Sequence, residues 1–329
     1  LIHNIYRKSH KGCNMTDSMN PFGVWPVMLT PFTETGALDR PGCEALVDWY
    51  LAGRVTGIFT VCLSSEMFDL TPAERLELAE LTVRRVSGRV PVVACAGFGD
   101  TAEQRLRSIR EMADTGVDAV VLPLSVLFPE ETSGELVAET LLRLPERLPG
   151  ITLGLYECPV PYKRSISPEL LGKLARDCGN RYRFLKDTCC DRVQLHARCA
   201  AAAGSGLAVY NANLTTLTDS LRNGCAGFSG IAANFFPDAL AELGCAVTGD
   251  PGKADRMQIV FNTLERNVEH RYPRGAKVFL RQQGLPVTDF CRTPRPGLSA
   301  EEVEQSRDFG RFLELWKQSG YDFHPNKEL

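Results

Sequence analysis

The stretches Ile151-Thr-Leu-Gly-Leu-Tyr156 and Tyr182-Arg-Phe-Leu-Lys186 decide the fold of this chain. Each is a short apolar run that ends on a side chain capable of chemistry. The interval between them holds one predicted helix, which begins at Ser167-Pro168. Strand, helix and strand in this order predict two neighbouring parallel strands. Tyr156 and Lys186 should therefore emerge side by side at the same edge of a sheet.

A lysine beside a tyrosine is the pair that imine chemistry requires. The amine can condense with a ketone, and the phenol can move protons next to it. An ordinary lysine has a pKa near ~10.4, so only a few molecules in ten thousand carry the neutral amine at pH 7. Lys186 could act only if apolar walls or a positive neighbour lowered its pKa. A lysine at a strand end is also often a solvated loop residue.

The same strand-then-helix pattern recurs along the chain. The apolar runs are continuous rather than alternating, which is typical of strands buried on both faces of a parallel sheet. They cover Val24–Leu29, Gly57–Cys62, Val90–Cys95, Ala119–Leu122, Ile151–Tyr156, Tyr182–Lys186, Leu207–Asn211 and Gly227–Ile231. Capping boxes at Thr71–Glu74 and Thr101–Gln104 mark two of the helices between them.

Eight such units predict an α/β fold, a TIM (β/α)8 barrel over residues 21–248. The barrel should be followed by a C-terminal helical extension, residues 249–329, with helices at about 252–271, 274–284 and 299–318. Residues 1–20 are polar, lack an apolar signal core and are expected to be a disordered tail or a segment added during cloning.

Composition excludes several classes of protein. The chain has 329 residues, a net charge of −3 and 44% hydrophobic residues, and no apolar stretch approaches the ~18 residues of a membrane span. We therefore expect no nucleic-acid or membrane partner. The 12 cysteines form no C-x-x-C pair and are expected to be reduced thiols in the cytoplasm. No histidine falls at a strand end, so neither a catalytic triad nor a metal site is predicted. Neither a G-x-G-x-x-G fingerprint nor a P-loop occurs, and no cofactor is predicted.

Several segments, in order and in register, resemble the dihydrodipicolinate synthase / N-acetylneuraminate lyase family of class I aldolases. They are Gly23–Phe32, Ser64-Ser65-Glu66, Val92–Gly97, Leu155-Tyr156-x-x-Pro159 and Phe184-Leu-Lys186-Asp-Thr188. The resemblance covers roughly residues 22–320. Any one motif is weak, but the ordered set is specific.

The resemblance implies roles for particular residues. Lys186 would attack the keto carbon of pyruvate or another 2-keto acid, and Tyr156 would shuttle protons. Ser64 and Ser65 would hold the carboxylate through hydroxyl and backbone N–H groups. The family also implies a homo-oligomer, expected to be a tetramer.

The chain departs from the synthase members at three places. Leu63 stands where they keep a relay threonine, Pro123-Leu124-Ser125-Val126 lacks their tyrosine pair, and Pro161 stands at the arginine for their second substrate. We therefore do not expect dihydrodipicolinate synthase activity.

The neuraminate-lyase sugar site is matched equally poorly. Its acidic turn reads Tyr210-Asn211-Ala212-Asn213 here. Seven other polar residues near the strand ends replace these acids, and their cations, amides and hydroxyls would suit an acidic, hydroxylated partner such as a 2-keto-3-deoxy sugar acid. They are Glu157, Tyr162, Lys163, Arg164, Asn211, Asn213 and Ser229. Lys163-Arg164 fits a solvated loop pair equally well, and for Glu157 a supporting role is favoured over catalysis.

Three functions stay open at this point. The leading hypothesis is a class I aldolase or lyase that reversibly cleaves a carbon–carbon bond in a 2-keto-3-deoxy acid. The second is dehydration or decarboxylation of a keto-deoxy sugar acid through the same imine. The third is a barrel with weakened catalysis that binds a keto acid, because relay hydroxyls are missing at Leu63 and Leu124-Ser125.

Overall fold

Eight parallel strands form a single sheet in the computed structural model, which describes residues 22–322. The predicted tail, residues 1–20, lies outside the described residues. The strands are β1 Gly23–Val24, β2 Ile58–Thr60, β3 Val92–Cys95, β4 Ala119–Pro123, β5 Leu153–Tyr156, β6 Tyr182–Asp187, β7 Ala208–Asn211 and β8 Gly227–Phe228. Each lies within, or no more than one residue beyond, a run predicted from sequence.

The sheet curls until its two edges meet. Its order is β1-β8-β7-β6-β5-β4-β3-β2, so β1 and β2 are the edges. Val27, just past β1, bridges in parallel to Phe59 of β2. The Phe59 N–H donates to the Pro26 carbonyl at 3.0 Å, and the Met28 N–H donates to the Phe59 carbonyl at 2.8 Å. The predicted TIM barrel is confirmed.

Helices follow the strands and cover the outside of the sheet. They are α1 Arg40–Ala52, α2 Pro72–Val86, α3 Ala102–Asp114, α4 Leu124–Leu127, α5 Gly134–Arg147, α6 Pro168–Asp177, α7 Arg192–Ala202, α8 Leu217–Arg222 and α9 Pro237–Gly249. The predicted capping boxes are present: Thr71 accepts from the Glu74 N–H, and Thr101 accepts from the Gln104 N–H. Each box satisfies backbone donors that the first helical turn leaves unpaired.

Three more helices come after the barrel: α10 Pro251–Glu269, α11 Arg274–Gln282 and α12 Ala300–Gln318. Their bounds agree with the predicted helices to within two residues. Aromatic rings join them to the barrel, since Phe261 of α10 stacks on Phe236 at 5.5 Å and meets Trp316 of α12 edge-on at 5.6 Å. None of the described helices has both the length and the apolarity needed to cross a bilayer.

Aromatic rings from four strands fill the barrel interior below the carboxyl ends of the strands. Phe184 of β6 stacks on Tyr210 at 4.8 Å and contacts Trp25 at 5.2 Å and Phe59 at 5.6 Å. Phe59 in turn meets Tyr156 edge-on at 5.6 Å. The end of β6 lies on this layer, which is called the aromatic floor and consists of the rings of Trp25, Phe59, Tyr156, Phe184 and Tyr210.

Candidate active site

Lys186 and Tyr156 lie next to each other at the carboxyl ends of β6 and β5. They are register partners in the sheet, and the Lys186 Nζ lies 4.9 Å from the centroid of the Tyr156 ring. Both line a cavity of about 540 Å³ at this end of the barrel. The strand order alone predicted this juxtaposition, because parallel strands end at the same edge. The catalytic roles of the two residues stay predictions.

The surroundings of Lys186 favour a neutral amine. The residue is 5% exposed, and its ammonium has neither a hydrogen bond nor an ion pair among the described residues. Burial lowers the pKa of Lys186 below its ordinary value of 10.5, although the nearby Cys62, Cys158 and Cys95 oppose this effect. Burial penalises the charged form, so the surroundings of Lys186 shift its pKa in the direction that nucleophilic attack requires.

Burial also favours the neutral form of Tyr156, which for a phenol is the protonated form. Burial, followed by the electrostatic influence of Cys158, raises the pKa of its phenol well above 10. The group therefore stays protonated at neutral pH. A protonated phenol beside an amine can donate a proton to an oxygen that the amine displaces.

A short 3-10 turn, Leu63–Ser65, follows β2 and presents Ser64 to the cavity. Ser65 does not line the cavity. Its hydroxyl donates to the Met28 carbonyl at 2.6 Å and accepts from the Cys62 N–H at 3.0 Å, and its own N–H donates to the Cys62 carbonyl. Of the two predicted carboxylate ligands, the structure thus leaves only the Ser64 hydroxyl facing the cavity.

Of the residues predicted for the partner half of the site, only Asn213 lies in the cavity lining. Asn211 is buried, and its amide donates to Thr216 and Ser220 at 3.1 and 3.0 Å. Ser229 is fully buried, and its hydroxyl has no partner among residues 22–322.

The two cations of this set are held by backbone carbonyls. The Lys163 ammonium donates to the Thr188 carbonyl, and Arg164 donates to the carbonyls of Pro129 and Glu130 at 2.9 and 2.7 Å. The geometry therefore gives no support to an anion clamp built from these two residues, and the solvated-loop interpretation fits better.

Glu157 belongs to a buried ion cluster behind the site. Its carboxylate lies 3.0 Å from the Arg198 guanidinium, which also pairs with Asp187, and it accepts from the Ile166 N–H at 2.8 Å. Burial, then the Asp187 charge, raises the pKa of Glu157 to about 6 against the pull of Arg198. Glu157 does not line the cavity, in accord with the supporting role favoured from sequence. The cluster ties the segment that follows β5 and the last residue of β6 to α7.

A second buried ion pair fixes the turn after β2. Glu66 adopts a left-handed conformation (φ 56°), which is uncommon for a residue with a side chain. Its carboxylate pairs with Lys277 of α11 at 2.8 Å and accepts from the Thr293 N–H at 2.9 Å. Both side chains are almost fully buried. Helix α11 and the segment after it therefore hold the cavity loop in place, which sequence reasoning missed.

The extension also contributes directly to the cavity. Tyr272, Thr293 and Arg295 line it, as do Glu265 and Glu269 of α10. Sequence analysis found none of these, because they follow no strand and carry no local motif. Nowhere in residues 22–322 do three or more His, Cys, Asp or Glu side chains gather in an arrangement that could hold a metal ion.

Comparison with known proteins assigns the chain to a family. The model of the dihydrodipicolinate synthetase family matches residues 20–309. The chain belongs to this family. The 4-hydroxy-tetrahydrodipicolinate synthase of Cereibacter sphaeroides is 30% identical over 84% of this chain and 93% of its own. That of Xylella fastidiosa is 30% identical over 72% of this chain and 76% of its own.

Solved structures of the family share the fold. YagE, a prophage protein of E. coli K12 in the dihydrodipicolinic acid synthase family, was solved in complex with pyruvate. It superimposes with a TM-score of 0.79 at 23% identity, over 89% of this chain and 99% of its own. A monomeric dihydrodipicolinate synthase variant gives a TM-score of 0.77 at 21% identity, over 93% and 99%. At these identities the likeness establishes the barrel alone.

Within the family, two of the three departures noted above can be followed in the structure. Leu63 lines the cavity with an aliphatic side chain in place of a hydroxyl. Ser125 is buried, and its hydroxyl donates to the carbonyls of Cys158 and Val160 at 3.0 and 2.8 Å. Neither residue supplies a relay hydroxyl to the cavity, so any proton transfer there has to use other groups.

Proposed function

We propose that the protein is a class I lyase that forms an imine between Lys186 and pyruvate or another 2-keto acid. The observation that carries the proposal is the buried, unpaired Lys186 ammonium beside the Tyr156 ring, in a cavity with room for more than a keto acid. Membership of the dihydrodipicolinate synthetase family supports it. So does the pyruvate bound to YagE, which is a property of that protein.

The chemistry follows from the two groups. The neutral Lys186 amine attacks the keto carbon, and the carbonyl oxygen takes a proton from the Tyr156 phenol to give a carbinolamine. The new hydroxyl leaves as water with a second proton, which comes from the attacking nitrogen, so the iminium forms and the Tyr156 oxygen is left as a phenolate. In a 2-keto-3-deoxy acid, the C3–C4 bond then breaks with its electrons flowing to the iminium nitrogen, and the proton of the C4 hydroxyl passes to the Tyr156 oxygen. The products are an aldehyde and an enamine that hydrolyses to the keto acid.

Borohydride reduction tests the imine directly. Treatment with borohydride and pyruvate should add one covalent mass to the intact protein, and the mass should map to the peptide that contains Lys186, since reduction fixes only a carbon–nitrogen double bond. No adduct, or an adduct on Lys163, would contradict the proposal.

The Ser64 hydroxyl is proposed to hold the keto-acid carboxylate. A hydrogen bond to a charged group contributes about 1.5–3 kcal/mol, so Ser64→Ala should weaken pyruvate binding roughly 10- to 150-fold. Calorimetric titration with pyruvate measures the effect. Ser65→Ala is the matched control. It deprives the buried Met28 carbonyl of a donor, so it should lower the melting temperature but leave the pyruvate affinity nearly unchanged. Loss of pyruvate affinity in Arg164→Ala but not in Ser64→Ala would move the carboxylate elsewhere.

The partner half of the substrate is proposed to be the remainder of a 2-keto-3-deoxy acid. Arg295 is the one cation other than Lys186 among the described residues that line the cavity, and its side chain has no partner there. It is therefore a better candidate than Lys163 or Arg164 for a distant carboxylate. Product analysis over a panel of 2-keto-3-deoxy acids separates carbon–carbon cleavage from dehydration and decarboxylation. A barrel that only binds keto acids would form the adduct without turnover.

Assembly and location stay predictions. The homotetramer follows from the family resemblance, and a solved relative described as a monomeric variant means that the family alone does not fix the state. The cytoplasmic location is proposed from the spacing of the 12 cysteines in the sequence, which predicts reduced thiols.

A further inference from the structure

A chain of buried polar side chains links the barrel core to the cavity. Tyr50 of α1 accepts from the Leu29 N–H at 3.5 Å and donates to the Asn234 Oδ1. The Asn234 amide nitrogen lies 3.1 Å from the Val27 carbonyl and 3.0 Å from the Tyr272 hydroxyl. Tyr50 and Asn234 are completely buried, whereas Tyr272 reaches the cavity.

The partners of Asn234 fix the direction of these hydrogen bonds. A backbone carbonyl can only accept, so the atom of Asn234 that faces Val27 has to be the amide NH2. The same NH2 faces Tyr272, so the Tyr272 oxygen accepts there. A phenol has one proton, and an oxygen that accepts keeps that proton available to donate. The Tyr272 O–H therefore points away from Asn234.

The surroundings of Tyr272 place that free proton at the predicted carboxylate end of the cavity. Tyr272 and Ser64 both line it, as does Lys186. Burial raises the pKa of Tyr272 well above 10, while the nearby Ser64 side chain acts in the opposite direction. The phenol is thus protonated at neutral pH and adjacent to Ser64.

We propose that Tyr272 is a substrate-binding residue that donates its phenolic proton to the keto-acid carboxylate beside Ser64. The inference rests on the proposed keto-acid function. It adds a substrate-binding residue that comes from the helical extension rather than from a strand end. It also offers a donor on the side of the cavity where Leu63 and Ser65 present none. The hydroxyls of Ser64 and Tyr272 would together bind the carboxylate.

Tyr272→Phe tests the proposal with little risk to the fold. The ring is retained, and the Asn234 amide keeps its bond to the Val27 carbonyl. Tyr321→Phe is the matched control, because Tyr321 also follows the barrel but donates to Asp238, and it does not line the cavity. Borohydride trapping is measured against the concentration of pyruvate and, separately, of acetone, a ketone without a carboxylate.

We expect Tyr272→Phe to raise the pyruvate concentration for half-maximal trapping about 10- to 100-fold and to leave that for acetone unchanged, since only pyruvate offers a charged acceptor. Tyr321→Phe should change neither. An equal shift for both ketones, or none for pyruvate, would overturn the role of Tyr272.

Calorimetric titration with pyruvate, without borohydride, tests the role of Tyr272 independently of imine formation. If the unaltered protein forms no adduct, the imine proposal fails. The affinity ratio between the unaltered protein and Tyr272→Phe still decides the carboxylate contact, and an unchanged affinity contradicts it.

Discussion

Replacement of Lys186 by methionine should abolish both the borohydride adduct and turnover. Methionine matches the length of the buried side chain and suits the aromatic floor, but it has no nitrogen to form the imine. The two readouts are the intact mass after reduction with pyruvate and the rate of keto-acid release from an active 2-keto-3-deoxy acid. Because the amine is the reacting atom, no other group should restore the adduct.

Two variants control for charge and position. Lys186→Arg keeps a cation but not a nucleophile, so it should also fail to form the adduct. Lys163→Met removes an ammonium held by the Thr188 carbonyl and should leave pyruvate trapping unchanged. An adduct that survived in Lys186→Met would show that another amine forms the imine.

The pH dependence of the same reaction has a definite sign. Only the neutral amine attacks, so the rate of adduct formation should rise with pH through the pKa of Lys186. Burial lowers that pKa, and the midpoint of the rise should therefore lie below the ordinary 10.5. A pKa lower by one provides about tenfold more neutral amine at a fixed pH below it, because the free energy of losing the proton falls by about 1.4 kcal/mol.

Tyr156→Phe should lower kcat by about 10²- to 10⁴-fold, the usual loss when a general acid–base group is removed. The change in KM should be modest, because the proposal gives Tyr156 a role in proton transfer and none in holding the carboxylate. The ring contact with Phe59 is retained. Steady-state kinetics and the rate of imine formation measure the effect.

Tyr210→Phe is the matched control for this change. Tyr210 is the register partner of Lys186 on the other side and belongs to the aromatic layer, but it does not line the cavity. Loss of the Tyr210 hydroxyl should leave kcat within a few-fold of the value for the unaltered protein. A large fall in Tyr210→Phe with little change in Tyr156→Phe would reverse the assignment of the proton shuttle.

The sequence by itself determined the barrel and the pairing of Tyr156 with Lys186 at the carboxyl ends of its strands. Strand position is a local property, since continuous apolar runs and helix caps are encoded within a few residues. Parallel strands separated by helices bring their carboxyl ends together, which is why Tyr156 and Lys186 could be paired from the order of the elements alone. Ser64 was predicted from the family resemblance of the loop that follows β2, and not from the order of the elements.

The tertiary structure alone decided which polar groups near the strand ends are free to meet a ligand. Ser65 and Asn211 look equivalent to Ser64 in sequence, yet their side chains are occupied by hydrogen bonds within the fold. Lys163 and Arg164 are likewise held by carbonyls distant in sequence. Hydrogen-bond partners of this kind come from other segments, so no local pattern records them.

The residues that the helical extension contributes to the cavity show most clearly that local sequence patterns do not record contacts between distant segments. Tyr272 reaches the cavity more than 80 residues after Lys186, and Lys277 pairs with Glu66 across 211 residues of chain. These contacts depend on how α10 and α11 pack against the barrel. The strand order determined where the amine and the phenol emerge, whereas the packing of distant helices determined the walls, the buried charges and the free donors around them.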